Sequence, residues 1–80
     1  MSARAEALDH LVRGIVDNPD DVAVQEKSTR RGPLLEVRVN PEDLGRVIGR
    51  SGRTARALRT VTAALSEDPV RVDIVDVDRR

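Results

Sequence analysis

The chain contains no phenylalanine, tyrosine, tryptophan or cysteine, and each absence closes a route to stability or function. Without aromatic side chains the core must be built from small aliphatics, chiefly twelve Val and seven Leu. Burying one such side chain contributes roughly 1.5 to 3 kcal/mol. Ordering each residue costs on the order of 1.5 kcal/mol, so a chain this short sits near balance and would gain from a second copy or a bound partner. The absence of Cys excludes disulfides and thiolate metal sites, and His10 is the sole histidine. No apolar run approaches the roughly 20 residues of a membrane span. The start, Met1 to Glu6, lacks the apolar core of a secretory signal, so the expected location is the cytoplasm. Eighty residues suit a single domain over 1–80.

An excess of one charge is also missing, since the formal net charge is zero. The distribution is uneven all the same. Between Leu44 and Leu65 there are five arginines, Arg46, Arg50, Arg53, Arg56 and Arg59, and no acid, while all fourteen acidic residues lie outside that window. One side of a neutral protein can therefore be basic. Thirteen of the fourteen basic residues are Arg, whose planar fork suits phosphate better than Lys does, although a GC-rich genome produces the same bias.

From Ala3 to Asp17, Leu8, Leu11, Val12, Ile15 and Val16 recur at the spacing of an amphipathic helix, which Asn18-Pro19 ends. Val22 and Val24, then Leu35, Val37 and Val39, alternate with polar residues as two half-buried strands. The polar stretch Ser28 to Pro33 turns the chain between them into an antiparallel hairpin. Asn40-Pro41-Glu42-Asp43 starts a short helix: Asn caps, Pro suits the first position and the acids favour the positive end of the dipole. Gly49 ends that helix after roughly two turns. A longer helix begins at Ser51 to Arg53, with Leu58, Val61, Thr62 and Leu65 on one face and Arg53, Arg56 and Thr60 on the other. It stops between Ser66 and Pro69, and Val70, Val72 and Ile74 form a third strand before the alternation loses phase at Val75 to Val77. The order is helix, strand, strand, helix, helix, strand. The expected fold is α+β: a mixed three-stranded sheet, its last two strands joined by a helical crossover, with all three helices on one face.

Val47-Ile48-Gly49-Arg50-Ser51-Gly52-Arg53 lies between the two central helices, in the most basic part of the chain. Gly49 and Gly52 permit a tight turn open to close approach. The unpaired amides that begin the following helix attract anions. Taken alone, two glycines at this spacing read as readily as an ordinary helix-to-helix turn. In this setting the run resembles the Ile-Gly-x-x-Gly signature of the KH domain, and the element order resembles the type II KH topology over essentially the whole chain. Length, the Asp17-Asn18-Pro19 turn and the stretch Asn40 to Thr60 further resemble the bacterial KhpA family of stand-alone KH proteins.

The resemblance implies a non-catalytic protein that holds single-stranded RNA backbone at Gly49, Arg50, Ser51 and Gly52. Arg46, Arg53 and Arg56 would supply charge, and Val47 and Ile48 an apolar groove floor. The third strand, Val70 to Ile74, would form the opposite wall, and such a groove takes about four nucleotides. It further implies post-transcriptional regulation or RNA chaperoning, self-association as a homodimer, and pairing with a larger KhpB-type RNA-binding protein. A module acting mainly through that partner is the alternative. With no aromatic ring, bases must meet aliphatic side chains, Arg planes and backbone edges, which predicts modest affinity and weak sequence selectivity.

Arg53, Arg56 and Arg59 also fit a solvated helix face, and Arg59 points away from the other two. His10 reads as a surface residue. Lys27, Arg30 and Arg31 read as a solvated turn, with a second RNA contact as the alternative. Asp17, Asp20 and Asp21 read as local turn chemistry rather than a metal site. No metal, cofactor, membrane or small-molecule substrate is expected. Ser51 has no His or Lys base at motif spacing, and the glycine loop lacks the Lys and Ser/Thr of a nucleotide-binding P-loop.

Overall fold

Side-chain caps and prolines set the element boundaries in the computed structural model, which describes residues 2–78. The first helix, α1, spans Ala3–Ile15 and buries Ala5, Leu8 and Val12. The Ser2 side chain caps it by accepting the Ala5 amide at 3.2 Å. The helix stops short of Asp17 because that backbone has another partner. The carboxylate of Asp43 accepts the Asp17 amide at 3.2 Å and the Asn18 amide at 3.0 Å. Val16 is extended, and Pro19–Asp21 makes a single 3₁₀ turn.

Strands β1 (Ala23–Thr29) and β2 (Gly32–Val39) pair antiparallel, with Val24 opposite Val37 and Thr29 opposite Gly32. The ladder therefore runs further into the hairpin than the polar composition of Ser28 to Pro33 suggests, leaving only Arg30-Arg31 as the connection. Gly32, at φ +105, takes the conformation that closes such a turn. The Thr29 hydroxyl accepts the Arg31 amide at 3.2 Å and donates to the Gly32 carbonyl at 2.8 Å.

After β2, the Asn40 side chain accepts the Glu42 amide and Pro41–Asp43 forms a 3₁₀ turn leading into α2, Leu44–Ile48. Next, α3 spans Arg53–Ala64, and β3, Arg71–Asp76, returns parallel to β2 with Leu35 beside Val72 and Val37 beside Ile74. The sheet order is β1-β2-β3, so β2 is central and the helical crossover lies over one face. This is the α+β, type II KH-like arrangement, with Leu35, Val37 and Val39 of β2 wholly buried beneath the helices.

Two apolar expectations are corrected. On α3 the buried row is Ala55, Leu58 and Thr62, whereas Val61 and Leu65 are 42% and 52% exposed. The helix is rolled toward its small residue, and Thr62 tolerates burial by donating to the Leu58 carbonyl at 2.8 Å. On α1, Leu11 is likewise exposed. β3 also continues past Ile74: Val75 pairs with Arg38 and is buried, on the row opposite Val72 and Ile74. Burial on both rows is why the alternation loses phase there.

Candidate nucleic-acid interface

The connection between α2 and α3 requires three residues in left-handed or otherwise positive-φ backbone: Gly49 at φ 78, Ser51 at φ 56 and Gly52 at φ 74. Ser51 is the sole non-glycine residue of this kind among the described residues. For an L-residue this costs on the order of 1 to 2 kcal/mol, so the surrounding turn holds it in place. The Gly52 amide donates to the Gly49 carbonyl at 3.1 Å, and Arg50–Gly52 close one 3₁₀ turn. No side chain caps the start of α3. The Gly52 and Arg53 amides close the 3₁₀ turn, and the positive end of the α3 dipole faces the loop, the polarity an anionic oxygen requires.

The two glycines serve different ends. A Cβ on Gly49 would collide with Thr54, lying 2.8 Å from its backbone nitrogen and closer still to its hydroxyl. That glycine is therefore needed by the fold, to seat the loop on α3. Around Gly52 nothing lies within 4 Å of such a Cβ, so this is the position that leaves space for a ligand.

Arg50, Ser51, Arg53 and Arg56 are exposed around this opening. Among the described residues, Arg50, Arg53, Arg56 and Arg59 enter no ion pair. Arg46 differs: its Nη1 donates to Asp17 Oδ1 at 2.9 Å, so an acid distant in sequence reaches into the acid-free segment. Of the two apolar residues before the loop, Ile48 is 38% exposed and offers surface beside it. Val47 is wholly buried in the core, so it supports the loop from below.

The clasp beneath this end of the molecule is Asp43. Burial opposes its ionisation, but hydrogen bonds from the Asn18 side chain and from the Asp17 and Asn18 amides outweigh burial and hold its carboxyl below the usual range. Asp21 accepts the Asn40 side-chain amide at 2.9 Å, which ties the Pro19–Asp21 turn to the start of the next one.

Arg59 was set apart in the sequence by its direction, and the structure shows where that direction leads. It lines an open groove of about 440 Å³ with Leu34, with Val70 just before β3, and with the β3 residues Arg71, Val72 and Asp73. Arg71 read in sequence only as a polar spacer of a strand. The parallel register sets it beside Leu34, and its Nη2 reaches Thr29 Oγ1 at 2.7 Å. The available signal was the i, i+3 continuation from Arg53 through Arg56 to Arg59, which turns progressively around the helix toward β3.

Comparison with known proteins identifies the family. The family described as KhpA/KhpB, KH domain, matches residues 5–76. The RNA-binding protein KhpA of Streptomyces coelicolor is 70% identical over 73 residues, spanning 91% of this chain and 92% of the relative. The RNA-binding protein KhpA of Mycobacterium tuberculosis is 60% identical over 74 residues, spanning 92% of each. Among solved structures, Era in complex with MgGDPNP and a segment of 16S ribosomal RNA superposes with a TM-score of 0.55 at 14% identity. That superposition covers 91% of this chain and 29% of the Era chain, and it concerns the fold alone. On the match over nearly its whole length, the chain belongs to the KhpA/KhpB family of KH domains.

Proposed function

We propose that this protein, as a single KH domain over 1–80, is a non-catalytic RNA-binding protein that holds single-stranded RNA backbone at Gly49-Arg50-Ser51-Gly52. The observation that carries the reading is the loop itself. It joins an unobstructed Gly52, an exposed Ser51 hydroxyl, the uncapped start of α3 and arginines free of ion pairs. Phosphate oxygens accept from the amides and Ser51, Arg50, Arg53 and Arg56 supply charge, Arg46 joins them when released from Asp17, and Ile48 lies under a base or sugar. The KhpA relatives are named RNA-binding proteins, which supports the same substrate class. A cytoplasmic post-transcriptional regulator or RNA chaperone is the role that modest, weakly selective binding fits.

The test places negative charge at the phosphate position. Arg50→Asp with Ser51→Asp suits the fold, since Asp tolerates left-handed backbone. Loss of binding to single-stranded RNA at low salt, with unchanged circular dichroism, is the expected result. Retained binding would falsify the loop assignment.

A second reading is favoured by Leu11, Val61 and Leu65, which leave apolar surface on the helical layer at 38%, 42% and 52% exposure. On this reading the domain acts mainly by pairing with itself or with a KhpB-type protein, and RNA contact is secondary. Sedimentation at micromolar concentration tests the self-association arm. A dimer that Leu65→Asp converts to monomer supports it, and a clean wild-type monomer counts against it.

A further inference from the structure

Helix α3 and the turn after it carry four hydroxyls, and three of them are satisfied in the same way. Thr60 donates to the Arg56 carbonyl at 3.0 Å, Thr62 to that of Leu58 at 2.8 Å and Ser66 to that of Thr62 at 2.7 Å, each one turn back along the chain. Thr54 is the exception, because its side chain makes no hydrogen bond among the described residues. One turn back from Thr54 the chain is no longer helical. Ser51 and Gly52 lie at positive φ, and the Arg50 carbonyl accepts the Arg53 amide in the 3₁₀ turn. The helical partner that serves the other three hydroxyls is not offered here.

Thr54 is half-buried. No buried side-chain oxygen or nitrogen among the described residues lacks a partner, so this unbonded hydroxyl is not sealed inside and reaches solvent. Packing fixes its direction. The space where a Cβ on Gly49 would stand is filled by the Thr54 side chain, whose Cβ lies 2.8 Å from that point with the hydroxyl oxygen nearer still. Branching at Cβ leaves threonine few rotamers, so this contact holds the hydroxyl toward the loop. Elsewhere, Ser2 donates to Glu26 at 2.7 Å and Thr29 to Gly32 at 2.8 Å. Apart from Ser28 in β1, the unbonded hydroxyls are Ser51 and Thr54, which flank Gly52 at one opening.

We infer that the Thr54 hydroxyl is a further RNA contact, donating to the backbone phosphate held at Gly49–Gly52 from a residue outside that motif. The arginines supply charge, and a hydroxyl adds a directed hydrogen bond. A side chain already held against Gly49 loses little freedom when the ligand arrives. Thr54 then has two separable tasks, its bulk seating the loop and its hydroxyl meeting the strand. The inference rests on the RNA-binding reading and extends it by one residue; the packing of Thr54 on Gly49 does not require the hydroxyl.

The test separates the two tasks. Thr54→Val keeps the bulk and removes the hydroxyl, whereas Thr54→Ser keeps the hydroxyl and removes the methyl group. Binding is read by fluorescence anisotropy across a salt series, on single-stranded RNA and on DNA of the same sequence, with thermal unfolding in parallel. Thr54→Val is expected to weaken binding to both strands by about three- to tenfold without lowering the unfolding midpoint. The slope of log Kd against log salt should stay that of the wild type, since a neutral donor releases no counterion. Thr54→Ser should bind as the wild type does, even where its midpoint falls. Wild-type affinity in Thr54→Val, or weaker binding by Thr54→Ser than by Thr54→Val, assigns Thr54 to packing alone and overturns the inference. A loss confined to RNA puts the hydroxyl on the ribose 2′-OH and overturns the phosphate assignment. Should the valine variant unfold, Thr54→Ala, which also lacks the hydroxyl, carries the same comparison. A wild type that binds neither strand overturns the RNA reading itself, so the two failures are distinguishable.

Discussion

Gly49 and Thr54 are packed so closely that residue 49 has no room for a Cβ, which would lie 2.8 Å from the Thr54 backbone nitrogen. The Thr54 side chain thus occupies the space a side chain at 49 would need, and the loop is fastened to the first turn of α3 from inside. Gly49→Ala must combine backbone strain with displacement of α3, whereas Gly52→Ala incurs the strain alone, about 1 to 2 kcal/mol. Thermal unfolding is expected to show the larger loss for Gly49→Ala. Gly52→Ala should lower the midpoint by roughly 4 to 16 °C on the scale for a domain of this size. A ranking in the other direction would mean that the Thr54 contact does not constrain the loop.

Arg46 and Asp17 are joined at 2.9 Å, with side chains 54% and 70% exposed. Exposed pairs contribute at most about 1 kcal/mol, so stability should hardly change when this one is broken. On the proposed RNA reading its effect is on the ligand, with the carboxylate competing against phosphate for the guanidinium. Asp17→Asn is expected to raise RNA affinity about two- to fivefold at low salt. Arg46→Ala should lower it, and Asp17→Asn should have no effect in the Arg46→Ala background. Fluorescence anisotropy on the four proteins measures the coupling.

Acid should weaken the fold over a defined range. Asp43 is held below the ordinary carboxylate range by the Asn18 and Asp17 hydrogen bonds, which overcome the opposing effect of burial. Glu26 is lowered chiefly by its hydrogen bond to Arg4, then by Ser2. Glu36 is lowered by Lys27 against burial, with help from Arg38. A depressed folded pKa contributes stability that is complete above the unfolded value, about 4, and is lost as pH falls through the folded value. The unfolding midpoint should stay nearly level from about pH 7 to 5 and fall below about pH 4. Asp43→Asn should lower the midpoint at neutral pH by roughly 5 °C or more and make the acid decline shallower.

Loop charge and ionic strength give one further expectation. Binding by wild type should weaken steeply with added salt, while the residual binding of Arg50→Asp with Ser51→Asp, which keeps Arg53 and Arg56, should show a shallower slope. Filter binding across a salt series reads both slopes together. A salt-insensitive wild type would point to apolar rather than phosphate contact.

Much of this architecture was legible in the residues themselves, because local chemistry controls it. Asn40-Pro41 can start a helix and little else, Asn18-Pro19 can stop one, and the Val and Leu alternation of β2 admits a single buried face. Gly49 and Gly52 placed the candidate loop only together with the capped helix before them, the acid-free arginine run after them and the element order that resembles a KH domain. Other features depended on groups far apart in sequence meeting in space. The roll of α3 that exposes Val61 and Leu65 was decided by packing over the sheet, to which helical periodicity is blind at this precision. That Gly49 answers to Thr54 while Gly52 faces open space depended on the path of the loop. The engagement of Arg46 by Asp17 required α1 to end where the Asp43 carboxylate captures its backbone. The meeting of Arg71 with Thr29 required the parallel β2–β3 register, which no local pattern encodes. The sequence by itself determined which elements form and where the backbone turns tightly at glycine, since these follow from each residue's own conformational preferences. Only the tertiary structure decided which arginines are free, which are paired and which share a groove, because charge pairing depends on distances that only the folded chain defines.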